Sequence, residues 1–341
     1  MTYLVTGSTG FIGSQICRAL VADGRPVRAF HRSSSPLIGL EGLVVEHAIG
    51  DITQPETLAA AMQGVDYVFH TAAQLGQVDD PEQMYAVTVA GTRNVLQAAA
   101  MANVQRVVHT SSVAALGVPS WAESHPPTET GKPSVLPLIN ERHTWNYRPE
   151  WWRYGHAKYL AELEVQRAVA EGLDVVIVNP AVVIGAGDLH RVSGNIILHV
   201  ARRHVPVTVP GGLNVVHIDD VVRGHLAALT RGRTGERYIL GGENLSHTSF
   251  LKMIAEVTGV APPRLTLPAN LVRSLAGPLA LIERWLPLPV NGETLRQAGY
   301  FFYYDTAKAT HALSLPAPLP ARQAIAEAYA WYQKHLTEVL G

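Results

Sequence analysis

"TGSTGFIG", residues 6–13, decides the fold of this chain. Its glycines at positions 7, 10 and 13 end the strand-like run 3–7 and open a helix-period pattern over 11–23. Glycines at this spacing permit a tight turn, close approach of a pyrophosphate to the backbone, and close packing of the helix on the strand. Because a strand precedes the turn and a helix follows it, the motif predicts a dinucleotide-binding site rather than an ordinary loop.

The same alternation of strand and helix continues along the chain. Short apolar runs typical of buried strands occur at 26–32, 42–51, 66–73, 106–112 and 174–185, and helix-period patterns occur at 55–63, 82–102 and 154–171. Strands that alternate with helices predict a parallel sheet covered on both faces. We therefore expect an α/β fold, a Rossmann-type doubly wound parallel sheet over 1–185. Residues 206–231 are expected to return to this domain, and 186–341 to form mostly a smaller C-terminal substrate-binding lobe.

Composition and charge exclude several classes of partner. A formal net charge of -1 over 341 residues provides no basic surface for nucleic acid or for an anionic membrane. No stretch reaches the roughly 20 uninterrupted apolar residues of a membrane span. The single cysteine, Cys17, precludes an internal disulfide, and the chain starts directly with the strand-like "TYLVTG", so we expect a cytoplasmic protein. The 15 histidines show no metal-ligand spacing, and no metal site is predicted.

"RYGHAK", residues 153–158, carries the candidate chemistry. In a helix, Tyr154 and Lys158 lie on one face about one turn apart. An ammonium beside a phenol favours the ionised phenol, so we expect Lys158 to lower the pKa of Tyr154 and to make Tyr154 a proton donor. Tyrosine and lysine at this spacing also occur by coincidence on protein surfaces, so the pair gains its weight from the motifs around it.

The end of the second predicted strand bears on the choice of dinucleotide. An acidic residue there would bind the ribose 2′-hydroxyl of NAD, whereas this chain has His31, Arg32 and Ser33. Because a cation suits a 2′-phosphate, the sequence favours NADP. The alternative is that Arg32 is only a solvated charge at the strand end, which leaves NAD open.

The order of the motifs resembles that of the extended short-chain dehydrogenase/reductase family, the NAD-dependent epimerase/dehydratase family, over nearly the whole chain. The segments that carry the resemblance, besides the glycine turn, are "GDIT" (50–53), "HTAA" (70–73), "GTRNVLQAA" (91–99), "TSSVAALG" (110–117) and "YGHAK" (154–158). Residues 179–188 and 231–259 look most like the branch that contains dihydroflavonol reductase-like and hopanoid-associated proteins.

The resemblance implies a catalytic centre of Ser112, Tyr154 and Lys158, with Ser111 as the alternative serine. Tyr154 would protonate a substrate carbonyl, Ser112 would hydrogen-bond the same oxygen, and Lys158 would also bond the nicotinamide ribose. The expected cofactor contacts are Gly7, Thr9, Gly10, Phe11, Ile12, Gly13, His31, Arg32, Asp51, Ile52, Thr71, Ala72, Ala73, Tyr154, Lys158, Pro180, Val182 and Val183.

Departures from the family pattern bear on the reaction, because this fold hosts reductases, epimerases and dehydratases. Val113 and Ala114 stand where dehydratases of the family carry an acidic pair, which argues against dehydration. Leu213 and Asn214 stand where nucleotide-sugar epimerases carry an arginine, which argues against a nucleotide-sugar substrate. The alternative is that another arginine takes its place: Arg191, Arg202, Arg203 or Arg237. We expect a reductase or dehydrogenase acting on a ketone, an aldehyde or the matching alcohol; the alternative is a sugar or nucleotide-sugar epimerase. A non-catalytic cofactor sensor is disfavoured because the serine, tyrosine and lysine are all present.

The residues between the two halves of the candidate centre indicate an apolar or aromatic small-molecule substrate. Residues 118–153 contain Trp121, Trp145, Trp151 and Trp152, and long loops beside a catalytic centre are commonly functional. The alternative is that these rings only fix the loop to the sheet. The apolar stretch 271–288 is expected to be a helix of the lobe core, or less often an entrance for a lipid-like substrate. The resemblance also implies a homodimer through helices 82–102 and 154–171.

Overall fold

The computed structural model describes residues 1–74, 81–119, 138–191, 193–282 and 292–340. The strands are β1 (Tyr3–Thr6), β2 (Val27–His31), β3 (Glu46–Ile49), β4 (Tyr67–His70), β5 (Arg106–Thr110), β6 (Val175–Pro180), β7 (Val182–Ile184), β8 (Val207–Thr208), β9 (Gly212–His217), β10 (Arg237–Leu240), β11 (Glu243–Ser246) and β12 (Leu265–Thr266). The α-helices are α1 (Phe11–Ala22), α2 (Pro55–Ala61), α3 (Pro81–Tyr85), α4 (Gly91–Met101), α5 (Arg153–Ala170), α6 (Asn195–Ala201), α7 (Ile218–Arg231), α8 (His247–Thr258), α9 (Ala269–Ile282), α10 (Gly292–Arg296), α11 (Ala307–Ala312) and α12 (Ala321–Leu340). Single 3-10 turns span Ile38–Leu40, Val113–Leu116 and Pro149–Trp151.

A parallel sheet of seven strands, in the order β3-β2-β1-β4-β5-β6-β10, forms the centre of the molecule. The chain builds outward from β1 in one direction to β3 and in the other direction from β4 to β6. The carboxyl ends of β1 and β4 therefore flank a crevice, which is where open α/β sheets bind dinucleotides. The predicted fold class, a doubly wound α/β sheet, is confirmed.

Alternate residues of the central strands fill two hydrophobic cores, one on each face of the sheet. In β5, Val107 packs into the core that includes Leu58 and Val95, whereas Val108 packs into the core that includes Ile16 and Val221. Successive side chains of a strand point to opposite faces, so continuous apolar strands are what a sheet covered on both sides requires. Helices α2, α4 and α5 cover one face, and α1 and α7 cover the other.

The second half of the chain contributes to the central sheet and also forms a core of its own. Strand β10 completes the sheet beside β6, and α7 packs on α1. Strands β7, β9 and β11 form a separate three-stranded sheet, and a third core lies among α6, α8 and α12. The division at residue 185, with 206–231 returning to the first domain, stays a prediction.

Two predicted elements are interrupted in the structure. The run 174–185 breaks at Ala181, because Pro180 has no N–H with which to continue the ladder, and β7 turns away to pair with β9. The helix predicted over 82–102 contains a π-helical turn, Ala86–Ala90, between α3 and α4. Within the described ranges, no helix is long and apolar enough to cross a membrane.

Candidate active site

The glycine turn connects β1 to α1 with no room for side chains. Gly7 has φ +67°, in the left-handed region, and a Cβ there would lie 2.8 Å from Cα of Ala72. A Cβ on Gly13 would lie 2.2 Å from the carbonyl oxygen of Gly7. Helix α1 starts after Gly10 with no acidic residue in its first turn. The turn therefore leaves its backbone and the N-terminus of α1 open to a ligand, and this arrangement suits the pyrophosphate of a dinucleotide.

The residues expected around the adenosine end lie at the carboxyl ends of β2 and β3. Arg32 is exposed directly after β2. His31 is buried, and its Nε2 lies 3.0 Å from Nδ1 of His47, so its ring belongs to the contact between β2 and β3. One carboxylate oxygen of Asp51 accepts two hydrogen bonds from Thr53, from its amide at 2.8 Å and from its hydroxyl at 2.7 Å. Of the two residues expected at the end of β2, Arg32 is therefore the one that faces solvent.

The remaining expected contacts lie at or just beyond the carboxyl ends of β1, β3, β4 and β6. The Thr71 hydroxyl donates to the carbonyl oxygen of Thr6 at 2.7 Å, which ties the segment after β4 to the end of β1. The half-buried residues of this group are Thr71, Ala72, Ala73, Ile12 and Val182, and its buried members are Thr9, Phe11, Ile52, Pro180 and Val183. The structure thus brings them to the carboxyl edge of the sheet, as the motif order predicts.

Ser112 lies beside the Tyr154 phenol, close enough to lower the pKa of that hydroxyl. Ser112 lies two residues beyond β5, and its Oγ accepts from the amide of Ala114 at 3.1 Å, which caps the 3-10 turn there. Tyr154 lies in the first turn of α5. Burial raises the pKa of Tyr154 to about 12, and the neighbouring Ser112 hydroxyl lowers this pKa by a smaller amount. The phenol is therefore protonated at neutral pH, the form that a proton donor requires.

Lys158 lies one turn further along α5 and is nearly fully buried, with 3% of its surface exposed. Its Nζ donates to the carbonyl oxygen of Thr110 at 2.9 Å. Burial lowers the pKa of Lys158 to about 8, and the charge of Glu162 opposes this shift. We expected Lys158 to lower the pKa of Tyr154, but burial dominates and that pKa is raised instead. Lys158 is bonded to the end of β5 rather than to the phenol.

Ser111, the alternative serine, forms its hydrogen bond with a different residue. Its Oγ donates to Oε1 of Glu162 at 2.5 Å, and both residues are buried. The structure therefore brings Ser112, and not Ser111, to Tyr154. Glu162 was absent from the sequence prediction, although it follows Lys158 by one helical turn. That spacing was the available signal, since it places both side chains on one face of the helix.

An aromatic wall, formed by Trp145, Trp152 and Phe302, stands beside the first turn of α5. The ring centroids of Trp145 and Trp152 lie 6.1 Å apart, and those of Trp152 and Phe302 lie 5.7 Å apart. A Cβ on Gly155 would lie 2.7 Å from the Trp145 ring, so the wall contacts the residue next to Tyr154. Phe302 is distant in sequence and carries no motif, which is why sequence reasoning missed it. Trp121 lies outside the described residues.

A second aromatic group lies further from the centre and carries cations. Trp151 contacts Tyr147 at 5.6 Å between centroids, and the Arg148 guanidinium lies 4.8 Å from the Trp151 ring centroid. His156 is half-buried and its Nδ1 lies 3.0 Å from the hydroxyl of Tyr85. Of the apolar stretch 271–288, the described part, 271–282, makes up most of α9, and Leu271 and Leu275 there are half exposed.

Comparison with protein families and curated proteins gives matches over most of the chain. A model described as the NAD dependent epimerase/dehydratase family matches residues 3–241. A protein of Synechocystis sp. named "Putative dihydroflavonol 4-reductase" is 37% identical over 98% of this chain and 95% of its own length. Sterol demethylase protein B of Methylococcus capsulatus is 35% identical over 98% of this chain and 99% of its own length. A ketoreductase of Stigmatella aurantiaca that acts on 4-hydroxy-2-methyl-3-oxo-4-farnesyl-3,4-dihydroquinoline-1-oxide is 31% identical over 88% and 86%.

Solved structures share the fold over the same extent. The crystal structure of gox2253 superposes with a TM-score of 0.83 and is 37% identical, covering 98% of both chains. A nucleoside-diphosphate-sugar epimerase from Pseudomonas aeruginosa superposes with a TM-score of 0.77 and is 26% identical, again covering 98% of both chains.

Proposed function

The chain is a member of the NAD dependent epimerase/dehydratase family, and on that premise we propose that it is an oxidoreductase that reduces a ketone or an aldehyde on an apolar body, or oxidises the matching alcohol. The observation that carries this proposal is the closeness of Ser112 to the Tyr154 phenol, with buried Lys158 one turn behind the phenol and an aromatic wall beside it. A neutral phenol paired with a second hydroxyl is the arrangement that protonation of a carbonyl oxygen requires.

In this mechanism the protein moves a proton and stabilises a developing charge. The nicotinamide, when bound, supplies or accepts the hydride. The Ser112 hydroxyl donates a hydrogen bond to the carbonyl oxygen as negative charge grows on it, and Tyr154 transfers its proton to that oxygen. The tyrosinate that results is stabilised by the nearby Lys158 ammonium. In the opposite direction the tyrosinate removes the proton of an alcohol.

The crevice at the carboxyl ends of β1 and β4 would hold the cofactor. The turn from Gly7 to Gly13 would receive the pyrophosphate, since side chains are excluded from it. Arg32, the exposed cation at the end of β2, would bind a 2′-phosphate, so we propose NADP as the preferred cofactor. Asp51 would face the adenine from the end of β3.

The apolar substrate is supported by the aromatic wall and by the names of relatives. Aromatic side chains are the usual lining of sites that bind apolar ligands, and this wall contacts the residue next to Tyr154. Two of the relatives are named for reductions, a dihydroflavonol 4-reductase and a ketoreductase for a farnesylated substrate, and a third is named for a sterol.

The test is a spectrophotometric survey of the purified protein. NADPH and, separately, NADH are mixed with a panel of aromatic and aliphatic ketones and aldehydes, and the nicotinamide absorbance is followed. We expect oxidation of NADPH that depends on the substrate. In Tyr154→Phe this turnover should be lost, whereas the affinity for NADPH, measured by fluorescence titration, should be nearly unchanged. Turnover at the wild-type rate in Tyr154→Phe would overturn the mechanism.

A second candidate function, sugar or nucleotide-sugar epimerisation, is favoured by one observation, the likeness to the epimerase of Pseudomonas aeruginosa. The structure offers little to grip a diphosphate at the position where the family's epimerases carry an arginine. Asn214 is buried, and its amide bonds Gly242 and Asn244 between β9 and β11. Epimerisation would appear in the survey as no net oxidation of NADPH, together with nicotinamide that stays bound through purification.

A further inference from the structure

A buried carboxylate behind the proposed catalytic centre takes no part in the mechanism above. Glu162 has 0% of its surface exposed. Besides the bond from Ser111, its Oε1 accepts from Nδ2 of Asn179 at 2.7 Å, and its Oε2 lies 2.6 Å from Nε of Arg237. A buried charge is tolerated when its oxygens are hydrogen-bonded and an opposite charge is close. The partners come from the end of β5, from β6 and from β10, so three neighbouring strands converge on one side chain.

This network reaches the proposed centre by two routes. The first is electrostatic, since Glu162 follows Lys158 by one turn on the same face of α5 and its charge raises the pKa that burial has lowered. The second is mechanical. The Nδ2 group of Asn179 that donates to Glu162 also donates to the carbonyl oxygen of Ser112, at 3.0 Å.

The other titratable groups that face Lys158 are uncharged near pH 7. Burial and the Lys158 charge lower the pKa of His70, on β4, to about 3. The pKa of His109, on β5, is held well below its ordinary value by burial and then by the charges of His70, Lys158 and His225. Tyr154 is neutral in the same pH range. Among the described residues that face Lys158, the charge that acts on it is therefore that of Glu162, with Arg237 behind it.

We propose that Glu162 is a positioning residue, which keeps the Lys158 ammonium charged and, through Asn179, fixes the main chain at Ser112. Arg237 should have the opposite electrostatic effect, because its cation pairs with the same carboxylate and partly cancels its charge. The consequence for turnover rests on the function proposed above. The consequence for the ionisation of Lys158 does not, and it can be measured with no substrate at all.

The experiment is an NMR titration of the full-length protein labelled with 13C at the lysine Cε. The chain has lysines only at 132, 158, 252, 308 and 334, so the spectrum is simple, and the Lys158 signal is assigned with Lys158→Arg. In the wild type, Lys158 should titrate near its pKa of about 8. In Glu162→Gln the midpoint should fall by about one to three units, the usual effect of removing an adjacent opposite charge. In Arg237→Gln the midpoint should rise, since a cation is removed.

The matched control is Glu164→Gln. Glu164 lies two residues away on a different face of α5 and pairs with Arg93 of α4 and with Arg167. The Glu164→Gln substitution should leave the titration midpoint of Lys158 unchanged. Opposite shifts for the Glu162 and Arg237 variants cannot come from a merely structural role, and Arg237→Gln keeps the test open should Glu162→Gln fail to fold.

The readouts separate this inference from the proposed function. An unchanged Lys158 midpoint in folded Glu162→Gln, or a fall in Arg237→Gln, would overturn the inference while leaving carbonyl reduction intact. If instead the wild type reduces no carbonyl but the two midpoints move as expected, the proposed function fails and the electrostatic part of the inference stands. With an active wild type, the fall in reductive kcat with rising pH should begin at lower pH in Glu162→Gln, because Lys158 loses its proton earlier.

Discussion

At the scale of single residues, the two adjacent serines at the end of β5 have different tasks. Ser112 reaches the Tyr154 phenol, whereas Ser111 reaches the buried Glu162. Removing a hydroxyl that stabilises an oxyanion costs roughly 10²- to 10³-fold in kcat. We therefore expect that loss in Ser112→Ala, with a decrease of about 1 kcal/mol in unfolding free energy from the lost cap of the 3-10 turn, as measured by steady-state kinetics and urea denaturation.

Ser111→Ala provides the matched comparison for Ser112→Ala. In this variant the buried Glu162 carboxylate loses one of its hydrogen-bond donors. Loss of a hydrogen bond to a buried acceptor lowers the free energy of unfolding by about 1–3 kcal/mol. The main loss should be in stability, and kcat should fall much less than in Ser112→Ala. A larger kcat loss in Ser111→Ala than in Ser112→Ala would show that the serine roles are reversed.

The exposed cation after β2 determines the expected choice between NADP and NAD. A hydrogen bond to a charged group contributes about 1.5–3 kcal/mol, or roughly 10- to 100-fold in affinity. Arg32→Asp should therefore weaken NADPH binding by that factor and shift preference toward NADH, measured as the ratio of kcat/KM for the two cofactors. Arg233→Asp is the control, since that exposed arginine precedes β10 and lies at the opposite edge of the sheet. Selectivity that is the same in Arg32→Asp as in the wild type would mean that Arg32 does not bind the 2′-phosphate.

At the scale of elements, α5 presents Tyr154, Lys158 and Glu162 on successive turns, and Gly155 allows the helix to approach the end of β5. A Cβ on Gly155 would lie 2.9 Å from the carbonyl oxygen of Ala114 and 2.7 Å from the Trp145 ring. Gly155→Ala should push the helix away from this turn. We expect a loss of about 1–3 kcal/mol in unfolding free energy, the usual effect of overpacking, and a lower kcat.

Gly277→Ala is the control for this substitution. Gly277 also lies in a helix, α9, but nothing lies within 4 Å of the added Cβ. Alanine there should change the unfolding free energy by less than about 1 kcal/mol, because its better helix propensity is offset by its place directly before Pro278. Equal effects of the two substitutions would show that the close approach at Gly155 is not a constraint.

The elements that the sequence predicts well are those with a local signal. The glycine turn, the alternation of buried strands with helices, and the Tyr154 and Lys158 spacing all lie within short windows, and each appears in the structure at the expected place. The break at Ala181 and the π-helical turn at 86–90 were not predicted. The break depends on where β7 finds its partner, β9, about 30 residues later, and pairing between distant strands leaves no periodic trace in either.

At the scale of the whole molecule, the family and its reductase-like branch, predicted from the order of motifs, are confirmed by the matches over nearly the full chain. The site is less completely predictable. Phe302 reaches the aromatic wall, and Arg237 reaches Glu162, only because the second half of the chain folds back over the sheet. Neither residue belongs to a sequence motif, and the role of each follows from its tertiary contacts alone.

The central claim is that the protein transfers a hydride from nicotinamide to a carbonyl carbon while Tyr154 protonates the oxygen. The most direct test uses NADPH deuterated at the transferable C4 position with a carbonyl that the survey identifies, and mass spectrometry of the alcohol formed. We expect one deuterium in each alcohol molecule from the wild type and no alcohol from Tyr154→Phe. Alcohol without deuterium, or deuterated alcohol formed at the wild-type rate by Tyr154→Phe, would contradict the central claim.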